Sequence, residues 1–283
     1  TAGMEGKTMA IQGMGNVGHY TATISQKEGG VKIICVAEYE GAIYKEDGIV
    51  AGIALAEIIF AKVDPEIKLE LIHKDGDFVK NGTIVFYATG PKISILSAER
   101  LVLNCMQRLS AVATTTSIYA KAISHTSTKV LDTRKTTPGL RHLEKWAVTL
   151  GGGMNHRVGL YDMIMLKDNH IDFAGGIEKA ITKTKSYLKE SGRDLKIEVE
   201  TRSITEVNEV LSIGGVDRIM LDNFTPAETL EAVKIIEGRH EIESSGGITL
   251  ETLKDYAECG VDFISVGALT HSAGNLDISL KAV

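Results

Sequence analysis

The chain lacks three features that would place it in a functional class at once. It has no apolar run near the ~20 residues of a membrane helix, so no membrane span is predicted. It has no basic excess: 31 Lys and Arg stand against 37 Asp and Glu, a net charge of −6, which argues against a nucleic-acid surface. The first six residues carry no basic region followed by an apolar stretch, so no secretory signal is predicted and a cytoplasmic location is expected.

Cysteine is also scarce. Cys35, Cys105 and Cys259 are odd in number and far apart, and none belongs to a metal-spaced pair. We therefore expect reduced thiols in or near the core of a cytosolic protein, rather than a disulfide or a zinc site. The remaining composition is that of an ordinary globular protein, with 43% apolar and 24% charged residues. A length of 283 residues allows one large or two modest domains.

The sequence before Tyr44 has the pattern of one β-α-β unit. An apolar run at residues 8–11 precedes Gly13-Met14-Gly15-Asn16-Val17-Gly18, and a second run at residues 31–37 ends at Glu38. Glycines for a tight turn and an acid about 20 residues later are typical of dinucleotide binding. Residues 5–44 resemble the start of the nucleotide-binding domain of glutamate dehydrogenases. A dinucleotide-binding, dehydrogenase-type protein is therefore one alternative function.

From Lys45 the sequence changes character. The turn signals Lys74-Asp75-Gly76 and Lys80-Asn81-Gly82 stand beside short β-rich stretches such as residues 83–87. This pattern predicts a small sheet-containing domain. A long helix is predicted over residues 97–120, where apolar residues recur at a loose helical spacing.

From Lys129 onward, short apolar runs end in polar or charged residues, and an amphipathic helix usually follows. The runs end within residues 130–135, 164–170, 197–200, 219–223, 242–247 and 264–267. Thr225 begins a capping box with Glu228, and Thr249 is predicted to cap the next helix. Strand–helix alternation predicts parallel strands. Because polar groups gather at every strand end, an (α/β) barrel is favoured over an open doubly wound sheet.

Several cationic groups follow these strands. Arg134, Lys135, His156, Arg157 and Lys167 all lie at or just after an apolar run, where charges of a solvated face are not expected. As a group they predict a site for a substrate rich in carboxylates or phosphates, because arginine binds such groups in a bidentate manner.

Carboxylates and small residues follow the later strands. Glu198 and Glu200 share one strand face, and Asp222 ends the next strand, so these acids are candidates to bind ribose hydroxyls or Mg²⁺. A structural ion-pair network with the arginines is the alternative for each acid. The stretches at residues 244–247 and 266–268 are small enough for backbone N–H groups to approach a phosphate.

Several long motifs resemble the signatures of quinolinate phosphoribosyltransferases. In the larger predicted domain they are LDTRKTTPGLR at 131–141, GGGMNHR at 151–157, LKDNH at 166–170, SSGG at 244–247 and VGALTHS at 266–272. In the smaller domain they are EDGIVAG at 46–52, AER at 98–100 and QRLS at 107–110. The resemblance covers residues 45–283, and the dehydrogenase-like segment stands in place of the family's usual start.

This resemblance implies an α/β protein with an incomplete (α/β) barrel and a smaller α/β open sandwich. The corresponding domains are residues 1–44 (the dehydrogenase-like segment), 45–120 with a return at 272–283, and 121–271. It also implies transfer of phosphoribosyl from phosphoribosyl pyrophosphate to quinolinate with decarboxylation, in a homodimer or an assembly of dimers. The dehydrogenase-type protein, a related nicotinate-type phosphoribosyltransferase and an inactive structural fold remain the alternatives.

The same resemblance implies roles for individual residues. The quinolinate carboxylates would be held by Arg134, His156, Arg157 and Lys167, joined by Arg100 from the partner subunit. Lys135 would meet the pyrophosphate, and Glu200 and Asp222 would face the ribose and its Mg²⁺. The 5′-phosphate would be bound by Ser245, Gly246, Gly267 and His271. Lys135, Lys167, Glu200 and Asp222 are the predicted catalytic set, and NAD is not expected as a cofactor.

Overall fold

The computed structural model describes residues 8–11, 32–36 and 39–282, with side chains from residue 41 to residue 281. The chain divides into two compact units: Thr1–Thr114 with Gly274–Val283, and Thr115–Ala273. Within the described residues, no helix is both long and apolar enough to cross a membrane. Cys105 and Cys259 are free thiols, as predicted, and the side chain of Cys35 lies outside the described part.

The first unit combines short strands with helices. Its elements are β1 (Thr8–Ile11), β2 (Lys32–Val36), β3 (Tyr39–Tyr44), β4 (Gly48–Ile49), α1 (Ile53–Val63), β5 (Lys68–Leu71), β6 (Phe78–Val79), β7 (Ile84–Thr89), the start of α2 (Lys92–Ala122), and β14 (Ile278–Ala282). An antiparallel sheet has the strand order β14-β3-β7-β5, so the end of the chain pairs with β3. The helix predicted over residues 97–120 is α2, which is longer at both ends.

The core of this unit forms where the sheet and helices bury their apolar faces. Phe60 of α1 contacts Phe86 of β7 edge to face, with ring centroids 6.3 Å apart. Tyr44 is fully buried and its hydroxyl lies 2.6 Å from the Ser110 hydroxyl of α2. The predicted turn at Asp75 stabilises the start of α1, because its carboxylate accepts hydrogen bonds from the backbone N–H groups of residues 52, 53 and 54.

The sequence predicted that the small domain begins at residue 45, after β3. In the structure, β3 already belongs to the small unit, as an inner strand of its sheet. Its pairing partners, β7 and β14, are distant in sequence, so no local pattern indicates it. Ahead of it, β1 and β2 pair in parallel, as a β-α-β unit requires. The glycine turn at residues 13–18 and the helix predicted after it lie outside the described residues.

The second unit alternates strands and helices. Its elements after α2 are β8 (Lys129–Leu131), α3 (Arg141–Leu150), β9 (Ile164–Leu166), α4 (Asp168–Ala174), α5 (Ile177–Ser191), β10 (Ile197–Thr201), α6 (Ile204–Ile213), β11 (Arg218–Asp222), α7 (Pro226–Ile236), β12 (Glu241–Ser245), α8 (Leu253–Ala257), β13 (Phe263–Ser265) and α9 (Ala268–His271). The capping box at Thr225 is confirmed, because Thr225 and Glu228 exchange side-chain and backbone hydrogen bonds. The cap predicted at Thr249 is wrong: residues 250–252 form a turn and α8 begins at Leu253.

In the part of the chain that the structure describes, these strands form one six-stranded parallel sheet in the order β8-β13-β12-β11-β10-β9. The first strand pairs with the last, so the order is that of a barrel with one junction, between β8 and β9, not bridged by strand pairing. The order contains no reversal, which a doubly wound sheet requires. The predicted fold class, an incomplete barrel with a smaller α/β domain, is confirmed.

The free edge of β8 is occupied by the segment at residues 153–157, which we call the seam segment. Leu131 and Met154 form a parallel bridge, and the Met154 backbone N–H donates to the Val130 carbonyl oxygen (2.9 Å). The guanidinium of Arg157 donates to the Met163 carbonyl oxygen (3.2 Å), immediately before β9. The segment therefore lies along the open junction of the barrel.

Candidate active site

A cavity of about 590 Å³ lies in the second unit, lined by residues at the carboxyl ends of its strands. Parallel pairing brings these ends to one edge of the sheet, so residues distant in sequence meet there. Most predicted site residues line this cavity: Arg134, Lys135, His156, Arg157, Lys167, Asp222, Ser245, Gly246, Gly267 and His271. The prediction that the strand ends converge on one site is therefore confirmed.

Cationic side chains form one part of the lining. Arg134 and Lys135 follow β8, Arg157 belongs to the seam segment, and Lys167 follows β9. Burial and the nearby guanidinium of Arg134 lower the pKa of Arg157. These two guanidinium groups repel each other, and a bound anion would relieve the repulsion.

The carboxylates stand beside these cations. Glu200 is buried at the end of β10, and its Oε2 lies 2.9 Å from the Lys167 ammonium nitrogen. Burial and the Glu200 carboxylate raise the pKa of Asp222, although Asn223 donates a hydrogen bond of 2.7 Å to it. Glu200 does not itself line the cavity, but it accepts a hydrogen bond from Lys167, which does.

Two glycines provide close backbone approaches. Gly246 has a φ of +95°, and a Cβ there would lie 2.7 Å from the backbone nitrogen of Asn223. Asn223 also adopts a left-handed conformation, with φ of 58°. A Cβ on Gly267 would lie 3.0 Å from the His271 ring. Glycine is therefore required at residue 246, and at residue 267 any larger residue needs the His271 ring to move.

A second charged group lies inside the barrel and meets the cavity at His156 and Glu243. His156 Nε2 lies 3.0 Å from Glu198 Oε2 and 3.2 Å from Glu243 Oε2. Arg218 Nη1 lies 2.9 Å from that same Glu243 oxygen, and Arg218 also pairs with Glu241. Burial and the Glu243 carboxylate raise the pKa of Glu198. We call His156, Glu198, Arg218 and Glu243 the inner charge layer.

A buried ion pair fixes the seam segment. Lys145 of α3 donates to the Asp132 carboxylate and to the His156 carbonyl oxygen, and Asp132 accepts from the His156 backbone N–H (2.9 Å). Burial raises the pKa of Asp132 to about 6 against the effect of Lys145, and burial lowers the pKa of Lys145. The backbone N–H of His156 is thus bound by Asp132, just after β8, and its backbone carbonyl oxygen by Lys145 of α3.

Two predicted site residues remain, Arg100 and His156. Arg100, which was expected to act in the partner's site, is exposed on α2 in the first unit and does not line this cavity, and its role stays a prediction. His156 does line the cavity, and its Nε2 lies 3.0 and 3.2 Å from two buried glutamates. Sequence reasoning gave no role to Glu243, Arg218 or Asn223. The signal available was a charged residue in a predicted strand: Arg218 directly precedes the apolar part of β11, and Glu243 lies at the centre of β12.

Two protein-family models match the chain. Quinolinate phosphoribosyl transferase, C-terminal domain, matches residues 112–281, and the N-terminal domain of the same family matches residues 20–110. The second match begins at residue 20, so the resemblance extends further than the predicted start at residue 45. The likeness of residues 5–44 to glutamate dehydrogenases stays a prediction.

Individual relatives agree with the family models. The chain is 50% identical over 251 residues to "Nicotinate-nucleotide pyrophosphorylase [carboxylating], chloroplastic" of Arabidopsis thaliana, covering 84% of this chain and 72% of that protein. It is 43% identical to a probable nicotinate-nucleotide pyrophosphorylase [carboxylating] of Bacillus subtilis, with coverage of 87% and 83%. The solved nicotinate-nucleotide pyrophosphorylase of Francisella tularensis superposes with a TM-score of 0.83 at 36% identity, over 92% and 93% of the two chains.

The sheet order, the strand-end cavity and the matches over both domains lead to one assignment. This chain belongs to the quinolinate phosphoribosyltransferase family.

Proposed function

We propose that this protein transfers the phosphoribosyl group of phosphoribosyl pyrophosphate to quinolinate, with loss of CO₂ and pyrophosphate, giving nicotinate mononucleotide for NAD biosynthesis. The observation that supports this most directly is the pairing within one cavity of a cation group, from Arg134, Arg157 and Lys167, with the carboxylate of Asp222 and the nearby Glu200. The first group suits a dicarboxylate ring, and the second suits a sugar that develops positive charge.

The quinolinate ring would lie among the cations. The guanidinium groups of Arg134 and Arg157, which repel each other, would each gain a carboxylate partner when quinolinate binds. Lys167, now paired with Glu200 at 2.9 Å, would share its charge with the substrate. His156 would contribute charge from behind this group, because its Nε2 contacts glutamates inside the barrel. Lys135 would meet the pyrophosphate.

The ribose and its Mg²⁺ would lie at Glu200 and Asp222. The fit is supported by the electrostatics, since burial and the Glu200 charge raise the pKa of Asp222 and a divalent cation would offset that repulsion. Mg²⁺ would neutralise charge on the departing pyrophosphate. The two carboxylates would face the sugar carbon as positive charge develops there. The 5′-phosphate would be bound at Ser245, Gly246, Gly267 and His271, where glycine permits close backbone approach.

The reaction needs placement of charges more than a proton acceptor. The pyridine nitrogen attacks the sugar carbon as the pyrophosphate oxygen leaves, and the ring becomes cationic. The bond to the adjacent carboxylate then breaks, CO₂ departs, and the ring carbon takes up a proton. Residues that hold both substrates in line therefore supply most of the rate enhancement.

Two parts of the proposal concern the surroundings of the site. We keep the predicted homodimer, in which Arg100 of the partner subunit completes each site, and the predicted cytoplasmic location, although the name of the Arabidopsis relative includes "chloroplastic". Mixing Arg100→Ala with Lys135→Ala subunits should restore part of the activity, because a mixed dimer would hold one intact site. No recovery, with subunit exchange shown separately, would contradict the shared site.

We also keep the expectation that NAD is not a cofactor. Dinucleotide binding needs further parallel strands beside the glycine turn, and β3 instead continues into an antiparallel sheet. Calorimetry with NAD(H) and NADP(H) should show no binding. Micromolar binding that is lost in Gly15→Val would support the dehydrogenase-type alternative.

One assay tests the main proposal. Purified protein with Mg²⁺, phosphoribosyl pyrophosphate and quinolinate should release nicotinate mononucleotide and CO₂ in equal amounts. Nicotinate, which carries one carboxylate, is the matched control and should be turned over far more slowly. Comparable turnover of nicotinate would point to a nicotinate-type enzyme. Absence of product from either ring, in folded protein, would support an inactive structural fold.

A further inference from the structure

The inner charge layer is a buried arrangement that the proposed chemistry does not by itself require. The side chains of Glu198 and Glu243 are fully buried, and that of His156 is 5% exposed. Their nearest charged partners are each other and Arg218. Both Glu198 oxygens and His156 Nε2 lack a hydrogen-bond partner of good geometry within the described part of the chain, so the His156–Glu198 contact is one of charge at 3.0 Å. Burying a carboxylate this way is costly unless a positive charge stands beside it.

The charges of the group indicate which residue supplies this positive charge. Glu198 and Glu243 contribute two negative charges, and Arg218, 2.9 Å from Glu243, contributes one positive charge. With His156 neutral, Glu198 would either lack a counterion or hold the proton itself. A protonated His156 makes the group neutral and places a positive charge within about 3 Å of both acids. Neutrality is the less costly state for a buried cluster.

One contact opposes protonation. The backbone N–H of Arg157 lies 2.6 Å from His156 Nδ1, which favours an unprotonated nitrogen there. Burial also acts to lower the pKa of His156, but the two glutamates outweigh these effects and raise it to about 9. The two glutamate carboxylates, 3.0 and 3.2 Å from Nε2, together exceed the effect of one amide dipole. The charged groups that surround the ring and its peptide come from β10, β12, β11, β8, α3 and the seam segment: Glu198, Glu243, Arg218, Asp132, Lys145 and Arg157.

We propose that Glu198 and Glu243 are positioning residues that hold His156 as a permanently charged imidazolium in the seam segment, beside the substrate cavity. The part of this inference that concerns substrate rests on the proposed function: the fixed charge would attract an anionic ring over the whole neutral pH range. Both glutamates act through the charge of His156, and of the two only Glu243 also lines the cavity. Without them, His156 would be an ordinary titrating histidine at the edge of an anion site.

A bound divalent metal is the competing use of the same three side chains, whose ligand atoms all lie within 4.8 Å of one another. The position of Arg218 argues against it. Its guanidinium already contacts the Glu243 oxygen that faces His156, so a divalent cation there would adjoin a positive charge. The imidazolium satisfies the same acids with no added ion.

Long-range ¹H–¹⁵N spectra of the imidazole nitrogens test the proposal directly. The His156 signals are assigned by their loss in His156→Gln and followed from pH 5.5 to 10. In the unaltered protein they should keep the imidazolium pattern through pH 8. In Glu198→Gln and in Glu243→Gln, the midpoint should fall by about 1–3 pH units. Glu241→Gln is the matched control: it alters a carboxylate bonded to Arg218 but not to His156, and should leave the midpoint in place.

The outcomes separate this inference from the proposed function. A neutral His156 at pH 7 in the unaltered protein overturns the inference, as does a stoichiometric metal whose removal by chelation changes the His156 signals. If one glutamine variant fails to fold, the unaltered protein and the other variant still decide. In an active enzyme, the KM for quinolinate should be flat between pH 6.5 and 8 and should rise with pH in Glu198→Gln, with kcat changing less. Imidazolium signals in a protein that does not use quinolinate would leave the inference standing and the proposed function refuted.

Discussion

The barrel holds two groups of charged residues that differ in exposure and in the completeness of their pairing. In the cavity lining, the Lys167 side chain is 47% exposed and pairs with Glu200, and the guanidinium of Arg157 lies near that of Arg134. In the inner charge layer, the Arg218 side chain is 9% exposed and contacts two acids, and the Glu198 and Glu243 side chains are fully buried. The two groups occupy neighbouring positions of the same strands: Glu198 and Glu200 are two residues apart on β10.

The difference shows how one barrel can serve binding and stability at once. Partly exposed charges can exchange water or a weak partner for a substrate at small cost. Buried charges cannot, because removing one partner leaves another without compensation. We therefore expect substitutions in the cavity lining to change substrate affinity with little change in stability, and substitutions in the inner charge layer to change stability first.

The largest expected effect comes from breaking the inner charge layer. Arg218→Met should lower the free energy of unfolding by about 3–5 kcal/mol, because it leaves Glu243 buried without its guanidinium partner. Chemical denaturation measures this. Lys254→Ala, which breaks an exposed pair with Glu258 at 3.5 Å, is the matched control and should leave the unfolding midpoint unchanged. Equal stability of the Arg218→Met variant and the unaltered protein would show that the layer is not an interdependent unit.

A comparable effect on binding, but not on folding, is expected in the cavity lining. Arg157→Ala and Lys167→Ala should each weaken quinolinate binding by about 2–5 kcal/mol, the cost of losing one partner of a desolvated charge pair. Isothermal calorimetry measures the affinity, and a denaturation curve should show near-normal stability. If both variants bind quinolinate as tightly as the unaltered protein, neither residue belongs to the substrate site.

The smallest expected effect is a pH dependence that sharpens the comparison. A raised pKa in the folded state means that folding takes up a proton between the unfolded value of 6.5 and the folded value of about 9. The stabilisation from His156 is therefore complete below pH 6.5 and is lost as the pH rises to 9, by up to roughly 3 kcal/mol. His156→Gln should flatten this part of the stability profile. The same slope in the variant and the unaltered protein would mean that another group causes it.

The sequence predicted the cavity lining better than the inner charge layer. Lys167 and Asp222 directly follow apolar runs, and Arg134 follows one after two polar residues. Parallel strands bring such ends together, so the proximity of these residues could be inferred. The inner charge layer depends on His156, which lies between β8 and β9, reaching acids on β10 and β12. No spacing encodes that contact. Glu243 was visible only as an acid at the centre of β12, and no local pattern indicated a partner for it.

Local signals were reliable only where the whole motif is local. The capping box at Thr225 is complete within four residues, and the helix begins where predicted. At Thr249 the motif is incomplete, because the residue three positions later is not an acid. The chain makes a further turn there before α8 begins. The predicted start of the smaller domain came one strand too late, after β3. The pairing partners of β3 are 40 to more than 200 residues away along the chain, so no local pattern marks it.

The open junction between β8 and β9 has a consequence for how such a protein can diverge. The seam segment there is tied to β8 by an isolated bridge and to the Met163 carbonyl oxygen by Arg157, but belongs to no strand of the described sheet. Residues added or removed in this segment would not shift the register of any strand pair. We therefore expect relatives to keep His156 and Arg157 but to differ in the position of this wall, while the other strand ends stay aligned.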